Sequence, residues 1–195
     1  MKRLFVSAIL VLAVVSGSFA GGYLTLGGDS AFMTNNYLFG SGASTVTYFN
    51  GAIGMAFDSG FIAGLRYDHI GIEDQSYSSV TGSTNARFIG AVPGLELGYF
   101  LKCMDNKLLW WSTARFSYAM SARYRRDVFN YKGTAFVPAV STALYYQLKN
   151  QFYAGLEVGY RYFTVKYAAP INNELNLGGM FVGISLIHLF NEQAK

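Results

Sequence analysis

The sequence is poor in charge, proline, cysteine and histidine. Charged residues make up 13% of the 195 positions, against the ~25% typical of soluble domains. So little charge favours a protein whose exterior does not face water. The single Cys103 rules out an intramolecular disulfide framework; it is either an incidental thiol in a turn or a site of intermolecular pairing. The two histidines, His69 and His188, lie far apart and have no metal-ligand spacing. We expect no metal and no cofactor.

A long apolar run occurs only at the beginning of the chain. Lys2 and Arg3 precede the apolar segment 4–15, and residues 18–20 (SFA) have the small-x-small pattern of a cleavage site. No later stretch offers the ~20 apolar residues of a spanning helix. We interpret residues 1–20 as a signal peptide and residues 21–195 as a single domain. Removing Lys2 and Arg3 lowers the formal charge from +4 to +2 (4 − 2), which argues against nucleic acid as a partner.

Aromatic residues are abundant, at 17% of the chain, and alternate with small or polar residues. The stretch Met180–Phe190 shows this period of two most clearly, which predicts a strand. Eleven residues exceed the ~5–6 of an ordinary strand and approach the ~9–11 of a membrane-crossing one. We predict that one face of this C-terminal strand drives membrane insertion through Ile184, Leu186, His188 and Phe190.

Seven earlier segments repeat the alternation. The predicted strands are Tyr23–Phe32, Thr45–Phe57, Phe61–Ile70, Arg87–Phe100, Leu108–Ala122, Thr134–Leu148, Gln151–Phe163 and Met180–Phe190. Short connections alternate with long polar ones, predicted as loops at Asn35–Ser44, Glu73–Asn85, Arg123–Lys132 and Lys166–Leu175. This order predicts an all-β, eight-stranded antiparallel up-and-down transmembrane β-barrel with both termini periplasmic. A soluble secreted β-barrel is the alternative fold.

The two faces of the predicted strands differ in bulk. Eight rows of large apolar side chains do not fit inside an eight-stranded barrel, so we place them outside and the small and polar residues inside. Outward aromatic pairs such as Phe49 with Phe57 or Trp110 with Tyr118 are eight residues apart, a spacing close to the ~25 Å apolar band of a membrane barrel. We also expect Pro93 to weaken strand pairing, because proline donates no ladder hydrogen bond.

The predicted inner face carries seven charged residues. Buried charges must be paired, so we expect an ion-pair network with its centre at Arg115; a polar permeation or gating path is the alternative interpretation. The seven residues are Asp29, Arg66, Asp68, Glu96, Arg115, Glu157 and Arg161.

The segment RYRRD is the only run of charge. We predict that Arg123, Arg125 and Arg126 lie on an extracellular loop, where guanidinium groups could contact the phosphates of lipopolysaccharide or host glycans; a solvated loop is the alternative. Neither His69 nor His188 is beside a serine on a predicted strand, so we expect no nucleophile–base pair and no enzymatic activity.

The closing strand and the pattern of segments resemble the small eight-stranded outer-membrane proteins, namely the OmpA transmembrane domain, OmpX, OmpW and the opacity-protein group. The resemblance implies a monomer in the outer membrane of a diderm bacterium, in contact with outer-membrane lipid and the barrel-assembly machinery. It also implies a surface, structural or adhesion role, with a host or surface ligand held by the loops. An OmpW-like conduit for small hydrophobic solutes is the alternative, suggested by the apolar inner residues Phe88, Val92, Phe181, Ile187 and Leu189; a lipid-modifying enzyme is the third hypothesis.

Overall fold

The computed structural model describes residues 19–32, 45–78, 82–126, 129–167 and 174–190. These residues form ten strands, which are β1 Phe19–Phe32, β2 Thr45–Phe57, β3 Phe61–Ser78, β4 Gly82–Cys103, β5 Leu108–Arg126, β6 Phe129–Lys149, β7 Phe152–Arg161, β8 Thr164–Tyr167, β9 Glu174–Asn176 and β10 Gly179–Phe190. Within these ranges, no helix is long and apolar enough to cross a membrane.

Every strand pairs with its neighbours in an antiparallel ladder that closes on itself. The first strand, β1, pairs with both β2 and β10, and β5 pairs with β6, so the sheet has no break around its circumference. The short β8 continues β7 along β6, and β9 pairs with β8 as the matching extension of β10. If β8 is counted with β7 and β9 with β10, the wall of the barrel has eight strands. The predicted closed eight-stranded antiparallel barrel is confirmed.

Side chains alternate between the two faces of the wall. Along β10, Ile184 is 66% exposed and faces outward. Phe181 and Ile187, on the other face of the same strand, are buried in the interior. The exterior is a continuous apolar surface, with large residues such as Leu26, Phe49 and Val140 about 60% exposed. Phe57, predicted to face outward, is only 6% exposed, because it lies at the β2–β3 turn with its ring 6.0 Å from that of Phe61.

Two glycines make room for a large buried side chain near the tight-turn end, that of Tyr23. Tyr23 projects inward from β1, and its ring passes over Gly54 of β2 and Gly64 of β3. A Cβ on Gly64 would overlap the Tyr23 hydroxyl, and one on Gly54 would lie 2.7 Å from its ring. The small residues of the inner face therefore leave space for a few large side chains, because the interior of an eight-stranded barrel is narrow.

Two predicted loops are wrong. Glu73–Asn85 was expected to lack regular structure, but β3 extends to Ser78 and β4 begins at Gly82. Likewise, of the predicted loop Arg123–Lys132, residues 123–126 belong to β5 and residues 129–132 to β6, and these residues pair with one another out to Arg126–Phe129. Ladder hydrogen bonds use the backbone alone, so a paired hairpin continues through polar residues once its apolar half fixes the register. Part of the loop predicted at Lys166–Leu175 belongs to β8 and β9.

The ladder between β4 and β5 is interrupted at Pro93, as predicted. Its register breaks between Ile89 and Gly94, and one extra residue lies on the β5 side. The β5–β6 ladder shifts over the same part of β5, between Ala119 and Ala122, which are both buried. A bulge at this point moves one strand past its neighbour by a residue and reverses which side chains face inward beyond it.

Several predictions concern residues outside the described ranges. They are the first eighteen residues of the predicted signal peptide, the whole predicted loop Asn35–Ser44, and positions 79–81, 127–128 and 168–173 of the other three predicted loops. Phe19 and Ala20, the last two residues of the predicted signal peptide, belong to β1. The position of the cleavage site stays a prediction.

Candidate functional site

The seven inward charges form one layer across the barrel interior, which we call the charged layer. Each of them is 4% exposed or less. They come from β1, β3, β4, β5 and β7, and the period of two on each strand turns them to the same side of the wall. The layer consists of Asp29, Arg66, Asp68, Glu96, Arg115, Glu157 and Arg161.

Glu96 lies at the centre of the larger part of this layer. Its Oε2 accepts from Arg66 Nη1 at 3.1 Å and from Arg115 Nε at 3.3 Å. The Tyr23 hydroxyl donates to Oε1 of the same carboxylate at 3.2 Å. Arg115 therefore lies inside the barrel, in contact with Glu96 and, through Nη2, with Glu157.

Arg66 extends this network along its own strand. Its Nε donates to Asp68 Oδ1 at 2.9 Å, so one guanidinium contacts carboxylates on both β3 and β4. Arg66 Nη2, Arg115 Nη1 and Ser117 Oγ are buried without a hydrogen-bond partner among the described protein atoms. Polar atoms of this kind are normally satisfied by ordered water inside a protein.

A second, separate contact joins Arg161 to Asp29. The guanidinium donates through Nη1 and Nη2 to the two carboxylate oxygens, both at 3.0 Å, in a bidentate pair. Asn50 Nδ2 donates to the same carboxylate at 2.9 Å. The guanidinium carbon lies 3.8 Å from the ring centroid of Tyr48 and 4.7 Å from that of Phe181, so the cation is also held between two aromatic faces.

Apolar side chains fill the barrel on both sides of the charged layer. The order along β3 is representative, since Ile62 precedes Arg66 and Asp68 and Ile70 follows them. Toward the tight turns, the apolar cluster comprises Tyr23, Ala52, Ala56, Ile62, Leu109, Trp111, Ala143, Tyr145, Tyr153, Ile187 and Leu189. Toward the opposite end, it comprises Ala31, Val46, Tyr48, Ile70, Val92, Ala119, Ala122, Ala135, Val137, Phe163, Val165, Leu177 and Phe181.

This arrangement suits a plug better than a water-filled path. The charges are directly paired, and a large apolar side chain from one strand meets another across the narrow interior. Moving an ion through the layer would require breaking buried ion pairs, and removing one partner of such a pair costs about 3–5 kcal/mol. Chemically, the layer links β1 to β7 and β3 to β4, β5 and β7 through ion pairs across the interior.

The other residues singled out in the sequence lie outside this layer. Arg123, Arg125 and Arg126 are in β5, not in a loop, and Arg123 is exposed. The prediction of a basic loop is therefore wrong about the backbone, because the β4–β5 and β5–β6 ladders continue through all three positions. Cys103 is an exposed free thiol at the end of β4.

The outward row of β10 has Ile184 and Leu186 exposed, and His188 lies between two aromatic rings. The imidazole is stacked on Phe152 at 4.1 Å between ring centroids and meets the edge of Phe190 at 4.4 Å. His69 is exposed on the outer face of β3. Among the described residues, no group of three or more histidine, cysteine, aspartate or glutamate side chains is positioned to hold a metal ion.

Sequence reasoning missed the aromatic and amide partners of the charges. Tyr23, Tyr48, Asn50 and Phe181 each touch a charged residue of the layer. The sequence is enough to predict that these four side chains point inward, because each lies on the same face of its strand as a predicted interior residue. The sequence does not show which charge each one contacts, because the contacting strands are distant along the chain.

Comparisons with known proteins identify the fold. No family model and no curated protein matches the sequence. The crystal structure of Neisserial surface protein A is similar over 89% of this chain and 100% of that chain, with a TM-score of 0.65 and 14% identity. The outer-membrane protein OprG of Pseudomonas aeruginosa is similar over 90% of this chain and 98% of its own, with a TM-score of 0.62 and 13% identity.

A third structure, the N-terminal β-barrel domain of Pseudomonas aeruginosa OprF, is similar over 89% of this chain and 100% of that chain, with a TM-score of 0.57 and 12% identity. At these identities the similarity establishes the architecture alone. The chain has the fold of the small eight-stranded outer-membrane β-barrels.

Proposed function

We propose that this protein is an integral outer-membrane barrel whose lumen is closed and which acts through its exterior and its cell-surface end. The observation that carries the proposal is the charged layer, in which every charged side chain meets an opposite charge and both adjoining layers are apolar. A surface or structural role of this kind fits a fold shared with a Neisserial surface protein.

The exterior supports the membrane location. Large apolar side chains about half exposed or more, such as Leu65, Leu144 and Leu156, cover the outer face of the barrel. Each such side chain gains ~1.5–3 kcal/mol when it is fully removed from water, which lipid provides. A soluble barrel with this outer face would present a large contiguous apolar patch and would aggregate.

The orientation follows from the connections. Asp58-Ser59-Gly60, Met104–Lys107 and Asn150-Gln151 are tight turns at one end, and the β3–β4 and β5–β6 hairpins extend at the other end as far as the pairs Ser78–Gly82 and Arg126–Phe129. Outer-membrane barrels have short periplasmic turns and long extracellular loops. We therefore place the tight turns and both termini in the periplasm, and the extended ends of β3 to β6 at the cell surface with any host or surface ligand. The barrel-assembly machinery would insert such a chain as a monomer.

Two measurements test the proposal. The purified protein, folded in phosphatidylcholine vesicles, should migrate differently on a gel before and after boiling, because a folded membrane barrel resists detergent while a soluble protein does not. In the same vesicles, swelling in small sugars and planar-bilayer conductance should equal those of protein-free membranes. A stable conductance in the folded barrel would refute the closed lumen.

A lateral conduit for small apolar solutes is the second candidate, and one observation favours it. The β4–β5 ladder is broken between Ile89 and Gly94, where Val92 and Ala119, of the interior apolar cluster at the end opposite the tight turns, line the inside of the wall. A small apolar molecule could pass from that cluster into lipid through this break without crossing the charged layer. Uptake of a small apolar dye into vesicles at the rate of protein-free vesicles would remove this candidate.

A further inference from the structure

A narrow apolar groove lies on the outer wall of the barrel at Gly51 of β2. Gly51 faces outward, because its chain neighbours Asn50 and Ala52 are buried on the inner face. The missing side chain leaves a recess of about 530 Å³ in the wall. The outward side chains around this recess, which we call the Gly51 groove, are Leu26, Phe49, Ile53, Leu65, Tyr67 and His69.

The strand pairing makes the Gly51 groove one side chain wide. Along β2, Gly51 lies between Phe49 and Ile53 on the same face. Across the sheet, it is opposite Leu26 of β1 and Tyr67 of β3. A Cβ on Gly51 would already lie 3.3 Å from Leu26 Cδ2. A recess of this width takes a single hydrocarbon chain, whereas a second barrel would need a contact of at least ~1,000 Å².

His69 places a polar group at one end of the groove. It is opposite Phe49 in the β2–β3 ladder and is exposed on the outer face. It lies eight residues beyond Phe61, the first residue of β3 at the tight-turn end. That distance is ~26 Å along the strand and ~20 Å along the barrel axis at a ~40° tilt, within an apolar band ~25 Å tall. The imidazole therefore lies close to the depth at which lipid chains join their headgroups, on the side opposite the tight turns.

A histidine that faces lipid at this depth points to a specific polar contact. Ionisable side chains within a membrane are costly, and they mark functional sites. An imidazole in either protonation state carries at least one N–H donor. The ester linkage between an acyl chain and its headgroup offers a carbonyl acceptor at the same depth. The groove and the histidine therefore fit two adjoining parts of one lipid molecule.

We propose that the Gly51 groove binds one acyl chain of an outer-leaflet lipid and that His69 donates a hydrogen bond to the carbonyl of its ester linkage. Ile53 and Leu65, which are opposite each other in the ladder, contact the chain toward the middle of the membrane. Recognition of this kind depends on the chain and its linkage and needs no charge on the headgroup. The inference rests on the proposed function, because it requires the barrel to span the membrane with its tight turns in the periplasm.

The test compares an ester-linked lipid with its ether-linked analogue. The full-length protein, folded in nonionic micelles, receives equimolar dimyristoyl and di-O-tetradecyl phosphatidylcholine, and native mass spectrometry measures how much of each lipid stays bound. The unmodified protein should retain the ester lipid over the ether lipid by about fivefold, the size of one net hydrogen bond. His69→Phe should retain both equally, and His69→Gln, which keeps an N–H donor, should restore the preference.

A second pair of variants tests the groove itself. Gly51→Leu fills it, and Ala114→Leu adds a leucine to the outer face of β5 as a matched control. Gly51→Leu should lose most of the retained lipid together with the preference for the ester, while Ala114→Leu should keep both. Equal retention by these two variants, or no preference in the unmodified protein, overturns the inference. A dimer that Gly51→Leu abolishes also overturns it, because the groove would then hold a second copy of the chain.

The folded state of each variant is checked first by heat-modifiable migration. The two His69 variants keep the test decisive if Gly51→Leu does not fold, because they leave the groove unfilled. If the unmodified protein does not insert into vesicles, the proposed function fails. Equal retention of ester and ether lipids by an inserted, unmodified barrel overturns this inference alone.

Discussion

Replacing Arg161 with methionine tests whether the charged layer holds the barrel together. The guanidinium makes two 3.0 Å contacts with Asp29 and lies 3.8 Å from the Tyr48 ring centroid. Arg161→Met keeps an apolar chain in the same space but takes the guanidinium away from the Asp29 carboxylate, to which the Asn50 amide still donates. Removing one member of a buried pair costs about 3–5 kcal/mol, so we expect the free energy of unfolding to fall by about 4 kcal/mol.

A double-mutant cycle separates this cost from general loss of packing. Asp29→Asn alone leaves the Arg161 cation buried without its carboxylate and should cost about 3 kcal/mol. The double variant has no unpaired charge, and replacing a whole buried ion pair by neutral groups is often close to neutral. We therefore expect the double variant to be more stable than Arg161→Met and the two changes to be non-additive by at least about 2 kcal/mol.

The assay is urea unfolding in phosphatidylcholine vesicles, followed by tryptophan fluorescence and by gel migration without boiling. Lys149→Met, at an exposed turn, is the control and should change stability by less than about 0.5 kcal/mol. A loss below about 1 kcal/mol for Arg161→Met, or additive effects in the cycle, would refute the view that the Arg161–Asp29 ion pair stabilises the folded barrel.

Three further outcomes are expected in the same unfolding assay. Gly64→Ala should lose about 1–3 kcal/mol because the new Cβ meets the Tyr23 hydroxyl, while Gly71→Ala, with open space around the site, should change little; equal losses would contradict the packing argument. Ile184→Arg on the outer face should cost about 2–4 kcal/mol if that face lies at mid-membrane, and Ile184→Leu should be near neutral; a tolerated arginine would show that lipid does not cover this row. His188→Phe should keep the stacked arrangement and the free energy of unfolding, whereas His188→Ala should lose about 0.5–1.5 kcal/mol of aromatic contact; equal stability of the two variants would contradict a contribution from the ring.

The predictable part of the fold is the part set by short-range pattern. A strand turns successive side chains to opposite faces, so the alternation in Thr45–Phe57 was enough to obtain the bounds of β2 as the structure has them. The same parity placed Arg115 and Glu96 on the inner face of neighbouring strands. Volume then decided which face is inner, because large residues such as Leu65 and Leu156 cannot share the narrow interior.

Prediction failed where pairing continued beyond the apolar pattern. The polar residues Glu73–Ser78 and Arg123–Arg126 have no alternation that marks a strand, yet their backbones pair with the next strand in the chain. Backbone hydrogen bonds are insensitive to side-chain polarity, so a ladder already started continues through them. Because the basic residues lie on paired strands, Arg123 and Lys132 are directly opposed, and a flexible loop would not impose that arrangement.

The eight strands of the barrel and the inward direction of the seven charges can be predicted from the sequence, because both properties repeat every second residue. Which charges meet depends on the pairing of strands in the closed sheet. Arg161 and Asp29 are 132 residues apart and pair only because β10 joins β7 to β1 and closes the barrel. Closure sets the register of every strand at once, and the position of Arg161 between Asp29, Tyr48 and Phe181 follows from that register, which no local stretch of sequence encodes.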